Sequence, residues 1–134
     1  MLAAEITQFD GFTSSLTIER RSLGVVVLTI TGRDIGEHGD GPLEELDLEA
    51  AKAPFSLFID ASKTRGASVD VSDVWAQWLR KNRDRLHRIH MLTGSRFVRL
   101  TADFVRRFAD LGDAMFIYTD GRAFEEALDL ATRR

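Results

Sequence analysis

Apolar and polar residues alternate over Leu16-Thr17-Ile18-Glu19-Arg20, a period of two that predicts a strand with one wet face. The turn Ser22-Leu23-Gly24 follows, and then Val25-Val26-Val27-Leu28-Thr29-Ile30 is apolar on both faces. The pair reads as a hairpin of one edge strand and one buried strand. Four glycines and several charges make Gly32 to Gly41 a loop. Pro42 suits the first residue of a helix, and Glu44 and Glu45 favour its positive end. With Leu43, Leu46 and Ala50 as the inner stripe, a helix is predicted over 42–52, stopped before Pro54.

Phe55-Ser56-Leu57-Phe58-Ile59-Asp60 is a second buried strand, and Ala61 to Val69 is predicted to be a polar loop. Asp70 or Ser72 caps the next helix, whose inner face is Val71, Val74, Trp75, Trp78 and Leu79. Ile89 to Leu92 is another strand. Phe97, Leu100, Phe104 (or Val105) and Phe108 then recur at helical spacing, which predicts a buried stripe on a helix ended by Gly112. Met115 to Tyr118 is the last strand. Asp120 caps a final helix with Phe124, Ala127, Leu128 and Ala131 inside.

The predicted order is β-β-α-β-α-β-α-β-α. Strands separated by single helices require parallel, right-handed crossovers, and the hairpin adds an antiparallel strand. The expected class is α/β, a mixed sheet carrying helices. A chain of 134 residues makes one domain, 1–134, at roughly 100–200 residues per domain.

Composition narrows the function classes. With 44% hydrophobic and 29% charged residues the chain is an ordinary globular one, not a disordered one. The absence of cysteine excludes disulfide scaffolds, thiolate metal sites and cysteine nucleophiles. No apolar run approaches the ~20 residues of a membrane span. MLAAEITQFD lacks the basic start of a signal peptide, so a cytoplasmic protein is expected. Net charge is −3, but it is unevenly spread. Residues 1–60 hold eleven acidic and four basic side chains, whereas residues 80–107 hold nine Lys/Arg against Asp84 and Asp103.

Most specific chemistries find no support. His87 and His90, three apart on a strand, point to opposite faces, and His38 lies far off in the chain, so no metal site is expected. No G-x-S-x-G elbow marks a hydrolase. Gly32-Arg33-Asp34-Ile35-Gly36 and Gly39-Asp40-Gly41 stand between a strand and a helix, but match no phosphate-binding pattern, and Asp34, Glu37 and Asp40 would repel a phosphate. Arg80, Lys81, Arg83 and Arg85 form a basic patch that could neutralise phosphates. It comes with no nucleic-acid motif, and positive residues in a last helical turn suit the helix dipole. Neither a cofactor nor a nucleic-acid partner is expected.

The stretch from Asp60 to Asp73 is the candidate site, because α/β sheets place their sites at strand carboxyl ends before helix N-termini. It offers hydroxyls at Ser62, Thr64, Ser68 and Ser72, and a phosphoryl group on Ser68 or Ser72 would meet the free N–H groups of the helix. Simple capping by Asp70 and Ser72 explains the same residues.

The order of elements and this loop resemble a STAS domain of the SpoIIAA-like superfamily, from the hairpin at 16–31 to the final helix. In anti-sigma factor antagonists a strand ends in Asp-x-Ser, and Asp-Ser-Ser-Gly about eight residues on carries the regulatory serine. Here Asp60-Ala61-Ser62 matches the first motif. At the second the chain reads Ser68-Val69-Asp70-Val71, with a carboxylate near the expected hydroxyl and no glycine. The resemblance implies a non-enzymatic bacterial regulatory domain. A protein partner, or a second copy of the chain, would dock through Asp60, Ser62, Ser68, Asp70 and Ser72 and the helix after them. A small apolar or lipid-type ligand, or a small enzyme with a pocket at the strand ends, is the alternative.

Overall fold

The computed structural model describes residues 5–22 and 24–133, so Leu23 of the predicted turn lies outside them. Six strands form one sheet in chain order: β1 (Glu5–Asp10), β2 (Ser14–Ser22), β3 (Val25–Asp34), β4 (Phe55–Ala67), β5 (Leu86–Thr93) and β6 (Met115–Tyr118). The first three are antiparallel and the last four parallel. Helices α1 (Gly41–Lys52), α2 (Val69–Lys81) and α3 (Arg96–Phe108) connect the parallel strands, and α4 (Gly121–Thr132) follows β6.

Crossovers of one hand between sequential neighbours place their helices on one face. Leu46, Ala50, Trp78, Leu79, Val98 and Ala102 accordingly bury one face of the sheet against α1–α3. The other face is covered by α4, whose Phe124 and Leu128 pack on Val25, Val27, Phe58 and Leu92. The doubly apolar run of β3 therefore serves both layers.

Several expectations need correction. An unforeseen strand, β1, pairs with β2 in the register Thr7↔Ile18, so β2 is not the sheet edge. Its residues Glu5-Ile6-Thr7-Gln8-Phe9 keep no period of two, and cross-strand bonding alone makes it a strand. Second, Ala61 to Ala67 is no loop. It continues β4 beside β3 through Gly32↔Thr64 and Asp34↔Ala67, and the Thr64 hydroxyl donates to the Gly32 carbonyl at 2.7 Å. The extension needs Gly66, which sits at φ +120° with Phe97 so close that a Cβ would lie 3.0 Å from its ring.

Third, Ser68 rather than Asp70 or Ser72 caps α2. Pairing through Ala67 leaves Ser68 as the first residue free of the ladder, and its hydroxyl accepts the Val71 N–H at 3.3 Å. Val74, expected on the inner face of α2, is exposed. Fourth, α3 turns its bulky stripe outward. Phe97, Leu100, Phe104 and Phe108 are exposed, while Val98, Ala102 and Ala109 are buried. Residues 98, 102, 105 and 109 form an equally good helical stripe, and its smaller side chains let α3 lie close to the sheet. The helix stops at Phe108, not at Gly112, as Asp110 takes a left-handed φ of 55°.

Candidate functional site

The start of α2 is tied to the end of β3, because the Ser68 N–H donates to the Asp34 carbonyl at 2.9 Å. Asp70 is exposed in the first turn of α2, where it meets the positive helix end. Ser72 is half-buried, with its N–H given to the Ser68 carbonyl. Asp60 and Ser62 form a unit of their own. Asp60 Oδ1 accepts the Ser62 N–H at 3.0 Å and the Ser62 hydroxyl at 2.6 Å.

These two groups face different layers. Ile59 and Ala61 pack under the α1–α3 layer and Phe58 packs under α4. Strand alternation then gives Asp60 and Ser62 the α4 side, away from Ser68, Asp70 and Ser72. The five residues singled out in the sequence thus do not converge on one point. The basic patch stands apart from both, at the far end of α2: Arg80 lies 5.7 Å from the Phe108 ring centre, and Arg83 pairs with Asp110 at 3.0 Å. Lys81 and Arg85 are exposed beside them.

What α2 does share is a cleft of about 320 Å3 with the segment 34–43, lined by Asp34, His38, Asp40, Asp70, Val74 and Trp75 among others. Sequence reasoning missed this partnership, since 34–40 and α2 are neighbours only through the parallel pairing of β3 and β4. The buried Asp34 carboxylate accepts the Gly36 N–H at 2.9 Å and shapes the turn. Glu37 then fastens the segment to the β1–β2 connection. It accepts from the Phe12 N–H at 2.8 Å, the Thr13 hydroxyl at 2.7 Å and the Ser14 hydroxyl at 2.6 Å. The Ser14 bond, then those of Thr13, hold its carboxyl down to about 2.

His38 Nε2 also meets the Ser14 hydroxyl, at 2.8 Å. The single Ser14 proton goes to the ionised Glu37, so His38 donates to Ser14 rather than taking a proton from it. That order is the reverse of what an activated serine nucleophile needs. A second space, an apolar cavity of about 100 Å3, lies between the sheet and α2–α3, walled by Ile59, Ala61, Trp75, Val98 and Ala102 among others.

Among the described residues no group of three His, Asp or Glu side chains could hold a metal. His87 is exposed, whereas His90 stacks on Phe58 with ring centres 4.3 Å apart and its Nδ1 meets the Tyr118 hydroxyl at 2.8 Å. Burial, with the Arg88 charge second, holds the His90 imidazole down to about 4 from its ordinary 6.5. Between those two values the unfolded chain binds the extra proton and the native one does not. Stability from this residue is therefore whole above pH 6.5 and declines as the pH falls toward 4. Urea midpoints across that range are expected to drop less for His90→Gln than for the native sequence; parallel curves would assign the acid loss to other groups.

No protein-family model matches the sequence, and no curated protein matches it either. Solved structures do. An uncharacterised protein of the DUF3478 family with a SpoIIAA-like fold, from Shewanella loihica PV-4, is 17% identical with a TM-score of 0.59, over 96% of this chain and 97% of its own. The unphosphorylated anti-sigma factor antagonist SpoIIAA is 15% identical with a TM-score of 0.60, over 84% of this chain and 95% of its own. An anti-sigma factor antagonist from Mycobacterium paratuberculosis is 15% identical with a TM-score of 0.54, over 93% and 95%. The six-stranded mixed sheet and its four helices are those of a SpoIIAA-like fold.

Proposed function

We propose that this chain is a non-enzymatic regulatory module that docks a protein partner over the end of β4, residues 61–67, and the first turns of α2. The observation that carries the reading is the open cleft between the first turns of α2 and the segment 34–43, which adjoins the end of β4 through the Asp34↔Ala67 pair. Asp70 stands at its wall beside Val74, and Val69 lies exposed in the same first turn. Exposed valines offer a partner apolar contact, and the exposed carboxylates Asp40 and Asp70 select a basic side chain. The similarity to proteins described as anti-sigma factor antagonists agrees with such a role. Asp70 supplies a permanent charge at the helix start, and Ser68 is the hydroxyl at which a phosphoryl group would meet the free N–H groups of α2.

Native mass spectrometry of the protein purified from its own host tests this. A retained partner chain is expected, and Asp70→Lys is expected to weaken that complex at least tenfold while the melting temperature falls by only a few degrees, the cost of a cation at the positive helix end. Arg85→Glu reports on the basic patch in the same assay. Binding unchanged by both substitutions removes the reading. The second reading, a small apolar ligand, is favoured by the apolar cavity. At about 100 Å3 that cavity is smaller than the ~150 Å3 that holds a benzene ring, so only a small group fits it as it stands. A small molecule retained in place of a partner chain would select it.

A further inference from the structure

The outward stripe of α3 has no role in the cleft or the cavity, neither of which takes Phe97, Leu100, Phe104 or Phe108 into its wall. These side chains are 62%, 55%, 45% and 40% exposed, and the Phe104 and Phe108 rings stack with centres 5.9 Å apart. An aromatic side chain presents about 150–250 Å2, so the three phenylalanines with Leu100 leave roughly 400 Å2 of apolar surface in water, within the range of about 300–600 Å2 in which a monomer's largest patch is often functional.

Cations frame it. Arg96, Arg99 and Arg107 stand exposed on the same helix, and Arg80 reaches over Phe108 from α2. The one acid of α3, Asp103, is held by Arg106 at 2.9 Å. The acidic half of the chain belongs to β1–β4 and α1, at the other side of a sheet whose strands run in chain order. The molecule is thus polarised, with its apolar raft in the positive region.

We infer that α3 is a peripheral contact with anionic phospholipid bilayers. Its phenylalanines and Leu100 enter the headgroup boundary while the arginines bind phosphates. One observation favours a bilayer over a protein. The stripe lies outside the walls of the cleft and the cavity, whereas protein hot spots seat anchors in pockets. A helix with Phe and Leu on one side and arginines on the other is the pattern of an interfacial helix. Among the described residues no helix is long and apolar enough to cross a membrane, so the contact is with the surface.

Sedimentation with vesicles decides it. The protein is expected to bind phosphatidylcholine–phosphatidylglycerol vesicles at low salt, to bind pure phosphatidylcholine at least tenfold more weakly, and to be released by high salt. The double variant Phe97→Ser/Phe104→Ser is expected to lose at least tenfold in partitioning. Arg96→Gln and Arg107→Gln, on exposed side chains that the fold does not need, should each lose about fivefold. Absence of binding to anionic vesicles at low salt overturns the inference, as does binding that ignores the phenylalanine changes. Self-association without lipid, abolished by the same serines, would assign the stripe to a second copy. A host protein released by those serines but not by Asp70→Lys would assign it to a protein. Either result also overturns the inference.

Discussion

Phe58→Ala is expected to lower the unfolding free energy by about 3–5 kcal/mol, the usual range for emptying a buried aromatic site. Phe58 is wholly buried on the α4 face of β4, where it stacks on His90 and meets Phe124 edge-on at 5.9 Å. That second core is small, with Phe124 and Leu128 as the only fully buried anchors of α4. A cavity under them cannot be refilled from elsewhere, so α4 should lose hydrogen-exchange protection before α1–α3 do. The melting temperature should fall by about 10–20 °C. His90, opened to water, should titrate closer to 6.5 than to 4, a change that NMR reads directly. A loss under about 1 kcal/mol would show that α4 is held by something other than this aromatic stack.

The second large effect belongs to Arg20 of β2. Its guanidinium, whose side chain is 15% exposed, pairs with Glu49 and, at 2.8 Å, with Glu45, both on α1. Arg20→Ala would leave two carboxylates one helical turn apart with Lys52, 3.1 Å from Glu49, as the remaining close cation. Breaking a half-buried ion cluster from one side costs more than the cluster contributes, and about 2–3 kcal/mol is expected. The pH dependence gives a sharper check. Burial pushes the Glu49 carboxyl up, but the Arg20 hydrogen bond, with Lys52 after it, leaves it below its ordinary 4.5. In the native protein this group therefore adds stability that is present above pH 4.5 and lost as the pH falls below it. Without Arg20 burial prevails, the carboxyl moves up, and the sign reverses. Denaturant titrations of Arg20→Ala should show stability partly recovered on mild acidification. An unchanged acid slope would place the source of the acid response outside this cluster.

The candidate site was legible in part. Ser68, Asp70 and Ser72 do stand at the start of α2, and the helix carries the Trp75–Trp78–Leu79 periodicity, but it starts at Val69, two residues before a cap at Asp70 would start it. The loop that completes the cleft was legible as a loop, but its place against α2 was not, nor was the Glu37 clamp on Thr13 and Ser14, because these contacts join residues more than twenty positions apart. The strand end and the Asp-x-Ser motif group Asp60 and Ser62 with the start of α2. Their place on the α4 side follows from two details unseen in the motif, the extension of β4 and its alternation.

Local signals by themselves determined the parallel half of the sheet, its three crossover helices and the final helix. Buried apolar runs and a period of 3.6 are properties of adjacent residues, and the hand of the crossover leaves little freedom. Tertiary structure alone decided which face of α3 is buried. Phe97-Leu100-Phe104-Phe108 and Val98-Ala102-Val105-Ala109 are both apolar stripes of helical spacing, and periodicity cannot rank them. The smaller set meets the sheet and α2, beside the cavity walled by Val98 and Ala102, and the larger set faces outward, so contacts between distant elements and not the apolar bulk of the stripe fix the helix's rotation.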